Sequence, residues 1–142
     1  MGNDYTMQNR VVCTRCDHYD SAKLEEILRM HFASIGLEES FFSGKRVLIK
    51  PNLVTAHVPE DAVTTHPALV EAAARLMRSY SANAIIAESP GGPFTEGALR
   101  HNYKVTGMQK ASEASGVPLS FDLSIGTFQT PNGQLSHAFD MI

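Results

Sequence analysis

The sequence predicts an α/β fold: a mostly parallel sheet with flanking helices in the order βαβαβαβ, then a β-hairpin. Three observations predict it. The apolar runs Val47-Leu48-Ile49 and Ala84 to Ala87 are too short for helices and suit strands buried on both faces. Stretches with helical spacing of apolar residues alternate with such runs, which implies crossover connections between parallel strands. Near the end, alternating apolar and polar residues flank Pro131-Asn132-Gly133, and Asn-Gly in that setting signals a hairpin.

Residues 1 to 9 read as a loose polar segment, and 10 to 142 as one α/β domain incomplete at its C-terminus. Residues 10 to 16 form the first expected strand. Asp20 or Ser21 caps a helix carrying Leu24, Ile27, Leu28, His31 or Phe32, and Ile35, which Gly36 ends. Glu38 to Gly44 is a connector, and residues 46 to 50 are the second strand. A long loop from Leu53 to Asp61 follows. Pro67 suits the first turn of a second helix with Leu69, Ala72, Ala73, Leu76, Met77 and Tyr80 on its apolar face. It should end near Ser81-Ala82-Asn83, before the third strand at 84 to 87. Thr95 and Thr106 are caps for two short helices, the later one ending at Gly116, and Val117 to Leu123 is the fourth strand. The hairpin strands are expected at 127 to 130 and 134 to 139. The chain stops at Asp140-Met141-Ile142 in mid-pattern, the mark expected of a truncated domain, and an unfinished sheet should promote self-association.

The 142 residues suit one domain, and a hydrophobic content of 43% with 19% charged residues is that of a globular protein. A net charge of -3 without a basic block gives no reason to expect nucleic acid. No apolar run approaches membrane-spanning length and no signal pattern opens the chain, so a cytoplasmic protein with no membrane partner is expected. Cys13 and Cys16 have C-x-x-C spacing, which invites metal and redox readings. In a strand, residues three apart face opposite ways, and a redox pair usually opens a helix. Ordinary strand cysteines without metal are the expectation.

The chemistry concentrates in three blocks. Lys50-Pro51-Asn52 ends the second strand, because proline biases its predecessor toward extended geometry and lacks an N–H. That puts Lys50 at a carboxyl strand end, the edge where open α/β sheets bind ligands. Lys50 is an anion-binding ammonium or a base, and Asn52 a ligand contact or a turn residue. Thr64-Thr65-His66 precedes the second helix, where backbone N–H groups favour anions and threonine hydroxyls cap; His66 is also a candidate acid–base group. Glu88-Ser89-Pro90-Gly91-Gly92-Pro93 follows the third strand. Glu88 pairs with Lys50 or moves a proton, while Ser89, Gly91 and Gly92 approach a ligand or form a tight turn. The loop fits neither a dinucleotide fingerprint nor a Walker loop, and Ser89 is not in a nucleophile elbow. The catalytic candidates are Lys50, His66 and Glu88; the ligand-binding candidates are Asn52, Thr64, Thr65, Ser89, Gly91 and Gly92.

These blocks resemble a known family. Val-Leu-Ile-Lys-Pro-Asn-Leu-Val, Thr-Thr-His-Pro-Ala-Leu-Val-Glu-Ala and Ala-Glu-Ser-Pro-Gly-Gly-Pro, in that order, are similar to the signature blocks of domain of unknown function three-six-two. Arg15-Cys16-Asp17 with Tyr19-Asp20 resembles its opening strand, and Gly107 to Ser115 a later segment. The resemblance implies a bacterial or archaeal α/β domain, often joined to a ferredoxin-like module with two [4Fe-4S] clusters. It also implies a longer complete domain, with an Asn-x-Pro-Lys-x-Lys-Thr-His block and a segment ending in Lys-Asn, both absent here. Two expectations of function result. One is part of an enzyme that binds an anionic small molecule at the carboxyl edge of its sheet. The other is a non-catalytic accessory domain of an electron-transfer protein, its ferredoxin-like partner in cis or in trans carrying the clusters outside this chain.

Overall fold

A computed structural model describes residues 10–89, 91–93, 95–124, 126–129 and 138–141. Helix α1 spans Ser21–Ser34, and the Asp20 carboxylate accepts from the Lys23 N–H at its start. Its end is closed by backbone bonds from Gly36 to Ala33 and from Leu37 to Phe32. The connector contains one short helix, α2 (Glu39–Phe42). Strand β1 is Arg46–Ile49, α3 is Pro67–Ser79 and β2 is Asn83–Ile86. Helices α4 (Glu96–Val105) and α5 (Met108–Ser115) follow, then β3 (Gly126–Gln129) and β4 (Ala138–Met141).

The β1–α3–β2 unit is the centre. The two strands pair in parallel with Val47 opposite Ala84 and Ile49 opposite Ile86. Alternation sends these four side chains to one face. There, Ile49, Ala84 and Ile86 meet Val70 and Ala74 of α3, Leu99 and Tyr103 of α4, and Met108 of α5. Val47 joins Leu76, Met77 and Tyr80 with Leu28, Phe32 and Phe42. α3 buries its apolar stripe between the sheet and helices α1 and α5. Polar bonds fix the helices around it: Ser21 donates to Glu71, and Arg78 donates to the Ser115 carbonyl at 2.9 Å.

The structure corrects several expectations. Residues 10 to 16 form no strand, and Val11 is 88% exposed. Cys13 and Cys16 are therefore exposed thiols rather than buried strand residues. The 117–123 stretch makes a single parallel bridge, Leu119 to Ile86, so the full βαβαβαβ order is not formed among the described residues. The β1–β2 sheet is not buried on both faces. Leu48 and Ile85, register partners on the face away from α3, are 59% and 38% exposed. Sequence periodicity cannot see this, because a strand's apolar outer face reads the same whether or not a layer covers it. The hairpin strands pair antiparallel, with Gln129 opposite Ala138, and residues 134–137 of the expected second strand lie outside the described residues. The Pro131-Asn132-Gly133 turn lies outside the described residues. Among the caps, Thr95 holds the Ala98 N–H as expected, whereas Gly107 and not Thr106 caps α5. The Thr106 hydroxyl is instead turned back to the Asn102 carbonyl.

The two faces should respond differently to truncation. Ile86→Ala removes a fully buried side chain and should cost about 2–5 kcal/mol in urea unfolding. Leu48→Ala, one residue away from the equivalent position on β1, should cost less than about 1 kcal/mol.

Candidate functional site

β1 and β2 run the same way, so both deliver their next residues to one edge of the sheet. Lys50 follows β1, and Glu88 lies two residues past β2. The Lys50 ammonium donates to both oxygens of the Glu88 carboxylate, at 2.8 and 2.6 Å. The partners differ in exposure: the Glu88 side chain is 6% exposed and that of Lys50 is 61%. A carboxylate buried to that degree needs its hydrogen bonds. Glu88 receives them from Lys50 and from the Ser89 N–H at 3.0 Å. Its own N–H donates to the Tyr103 hydroxyl at 3.3 Å. Burial pushes the Tyr103 phenol above its ordinary 10.0; Glu88 acts both ways, its N–H bond lowering the value and its charge raising it.

Two further links gather the loops at this edge. The Asn52 N–H donates to the Thr65 hydroxyl at 2.9 Å, and the Thr65 N–H donates to the Asn52 carbonyl at 2.8 Å. This reciprocal pair ties the Lys50-Pro51-Asn52 turn to the entry of α3. The Gly91 N–H donates to the Val54 carbonyl at 2.8 Å, which ties the same loop to the segment after β2. A Cβ on Gly91 would come within 3.1 Å of that carbonyl, so the close approach needs glycine. Val54 itself sits at φ +36°, the left-handed region, where a β-branched residue is strained. Strain held by a surrounding network is a property of sites more than of plain connectors.

The entry to α3 is already satisfied internally. His66 Nδ1 accepts from the Ala68 N–H, the His66 carbonyl accepts from Leu69, and Pro67 has no N–H. The His66 ring stacks on Tyr19, centroids 3.7 Å apart and planes 11° from parallel. Thr64 differs: its hydroxyl oxygen is buried with no hydrogen-bond partner among the described residues. Of the nine candidates, the structure joins Lys50, Glu88 and Ser89 in one network and Asn52 with Thr65 in a second, two residues along the chain. Gly91 is joined through Val54. Gly92, at φ +113°, is exposed and its missing Cβ has nothing near it.

Sequence reasoning missed Tyr103, Tyr19 and Val54. Tyr103 sits on α4 at ordinary helical spacing, and nothing local marks it as Glu88's contact. The expectation from the family resemblance places the [4Fe-4S] clusters outside this chain. The chain has two cysteines, both exposed, which do not make the four-thiolate set of a [4Fe-4S] cluster. This chain's residues do not fit that group.

The Lys50–Glu88 pair predicts an asymmetry. Lys50→Met leaves a buried carboxylate short of its main partner and should cost about 1–3 kcal/mol. Adding Glu88→Gln to that variant should recover part of the loss, a coupling that a double-mutant cycle reads directly. Tyr103 predicts a pH effect. Its raised value means that the folded state holds the phenolic proton more firmly than the unfolded chain. Stability from this group is present below pH 10.0 and should be lost as pH rises through the raised value. In Tyr103→Phe, urea midpoints should lose that component of the alkaline decline.

Comparison with known proteins places the chain in a family. No solved structure matches it closely enough to count. It is similar to the thylakoid-associated protein sll1697 of Synechocystis sp., 26% identical over 132 residues. That match takes in 92% of this chain and 40% of the relative, so the chain spans about two fifths of the relative's length. Among the described residues, no helix is long and apolar enough to cross a membrane. Residues 47–139, which carry Lys50, the Thr64-Thr65-His66 block, Glu88 and the glycine pair, match one family over most of the chain. The protein belongs to the family described as Domain of unknown function (DUF362).

Proposed function

We propose that this chain is part of an enzyme that binds an anionic small molecule at the carboxyl edge of the β1–β2 sheet. The observation that carries the reading is the lopsided Lys50–Glu88 pair, with a buried carboxylate holding an ammonium that stays 61% exposed. An ammonium has three donors, and Glu88 takes two. The third is available to a ligand oxygen. Glu88 fixes the direction of the ammonium and Lys50 holds the anion. Asn52, Thr64, Thr65, Ser89, Gly91 and Gly92 shape the surrounding loops, and the unpartnered Thr64 hydroxyl supplies one further polar group. In this reading Glu88 or His66 moves the proton. His66 Nδ1 is engaged as a cap, which leaves Nε2 for that task.

A second reading is favoured by a different observation, the uncovered apolar face at Leu48 and Ile85. On it, the domain is an accessory that docks a ferredoxin-like module carrying the [4Fe-4S] clusters. Leu48→Lys would then abolish docking and leave anion binding intact.

Titration of the isotope-labelled chain with inorganic phosphate, followed by amide shifts at Lys50, Ser89 and Thr65, tests the first reading. Lys50→Met should weaken binding by about 1–3 kcal/mol, the range for hydrogen bonds to a charged group. Glu88→Gln should tighten it, because the amide oxygen still accepts from the ammonium while the negative charge that repels phosphate is gone. Equal affinity in all three proteins would defeat the proposal.

A further inference from the structure

A cavity of about 420 Å³ lies between α4, α5 and residues 119–121, away from the Lys50 ammonium. Its lining includes apolar surface from Leu119, Phe121 and Tyr103, with Arg100 and Lys104 from α4 and Glu113 from α5. Arg100 is held by Glu96 and lies over the Phe121 ring, 4.2 Å from its centroid. Lys104 is exposed and has no anionic partner among the described residues.

The backbone beside this cavity is an open edge. Pro118 accepts from the Ile86 N–H at 2.9 Å, and the Ser120 N–H donates to the Ile86 carbonyl at 2.7 Å. These groups face β2. Alternation along an extended chain then turns the N–H and C=O of Leu119, and next those of Phe121, away from β2. None of the four has a backbone partner among the described residues. Leu119 and Phe121 are two residues apart, so their side chains share one side of the strand, and both line the cavity.

We propose that the outer edge of residues 119–121 is a strand-addition site for an extended peptide segment of a partner protein. The segment's main chain pairs with Leu119 and Phe121. Its alternate side chains point into the α4–α5 cavity, apolar at the centre and acidic where they meet Lys104 and Arg100. Free main-chain groups give affinity, and the cavity gives selectivity for the side chains, which is how peptide addition to a sheet edge divides its work. The unpaired Lys104 charge sets the acidic preference.

The probe is a capped heptapeptide, Glu-Thr-Val-Thr-Val-Thr-Glu, which puts both valines and both glutamates on one face of a strand. Titrated into the labelled full chain, it should slow hydrogen exchange at the Leu119 and Phe121 amides by about tenfold or more. The same peptide N-methylated on the edge-facing amides should bind at least about tenfold more weakly, as should the unmethylated peptide to Lys104→Glu. Lys104 is exposed, so that variant should fold normally, and an unchanged urea midpoint checks this. Three results would overturn the proposal. One is no protection of Leu119 and Phe121 at millimolar peptide. Another is equal binding of the N-methylated peptide, which would make the cavity a side-chain or small-molecule pocket. The third is protection of these amides by a second copy of the chain before any peptide is added.

Discussion

The burial of one stripe of α3 against one face of the β1–β2 pair is the constraint on which the rest depends. Leu76, Ala72 and Ala74 have no exposure, and Val70 and Met77 almost none. Ile86, itself fully buried, meets Val70 and Ala74 from the sheet. Each of the larger side chains, Val70, Leu76, Met77 and Ile86, contributes about 1.5–3 kcal/mol on removal from water, more than an exposed ion pair on the surface supplies. Parallel pairing needs a crossover, and α3 is that crossover. Once the stripe is seated, both strands must end on the same side, and Lys50 and Glu88 are carried to one edge. The ion pair is thus a consequence of the packing, while its lopsided exposure belongs to the edge. Glu88 lies against Tyr103 and the Ser89 turn, whereas Lys50 reaches out from the first residue after β1.

The same packing leaves the other side of the sheet bare. Helices α1, α3, α4 and α5 supply their apolar side chains to clusters that contain Val47, Ile49, Ala84 and Ile86. Leu48 and Ile85 are in neither cluster. Parallel sheets are usually covered on both faces, which is why their strands read as continuous apolar runs. Here the sequence carries the pattern of a covered sheet and the described residues supply one layer. The relative that shares most of this chain continues well beyond the matched portion. An apolar outer face and an open edge at 119–121 are both places where chemistry on the surface invites a partner.

Much of this was legible in the residues. Lys50-Pro51 marked the end of β1 because proline cannot continue the ladder, and Pro67 marked the start of α3. Asp20 and Thr95 acted as caps because their side chains can hold a second or third N–H. The parallel pairing of the two apolar runs followed from the intervening helix. What failed did so for reasons that periodicity cannot carry. Val11-Val12 looks like a strand, but a strand needs a neighbour, and the described residues offer it none there. Thr106 has the side chain of a cap, yet its hydroxyl donates to the carbonyl four residues back, a competing bond that local sequence permits equally. At the edge, the Lys50–Glu88 contact was foreseeable as one of two roles for Glu88. The strain at Val54, the stacking of Tyr19 on His66 and the Tyr103 contact arise from tertiary placement and have no signature in the chain.

The central claim is that the Lys50 ammonium, aimed by Glu88, is presented to a ligand anion at the carboxyl edge. A crystal structure of the chain grown with phosphate tests it most directly. The account predicts phosphate density within hydrogen-bonding distance of Lys50 Nζ, about 2.7–3.2 Å, with both Glu88 contacts retained and no neighbouring molecule touching the anion. Phosphate bound elsewhere while Lys50 remains closed on Glu88 alone would contradict it.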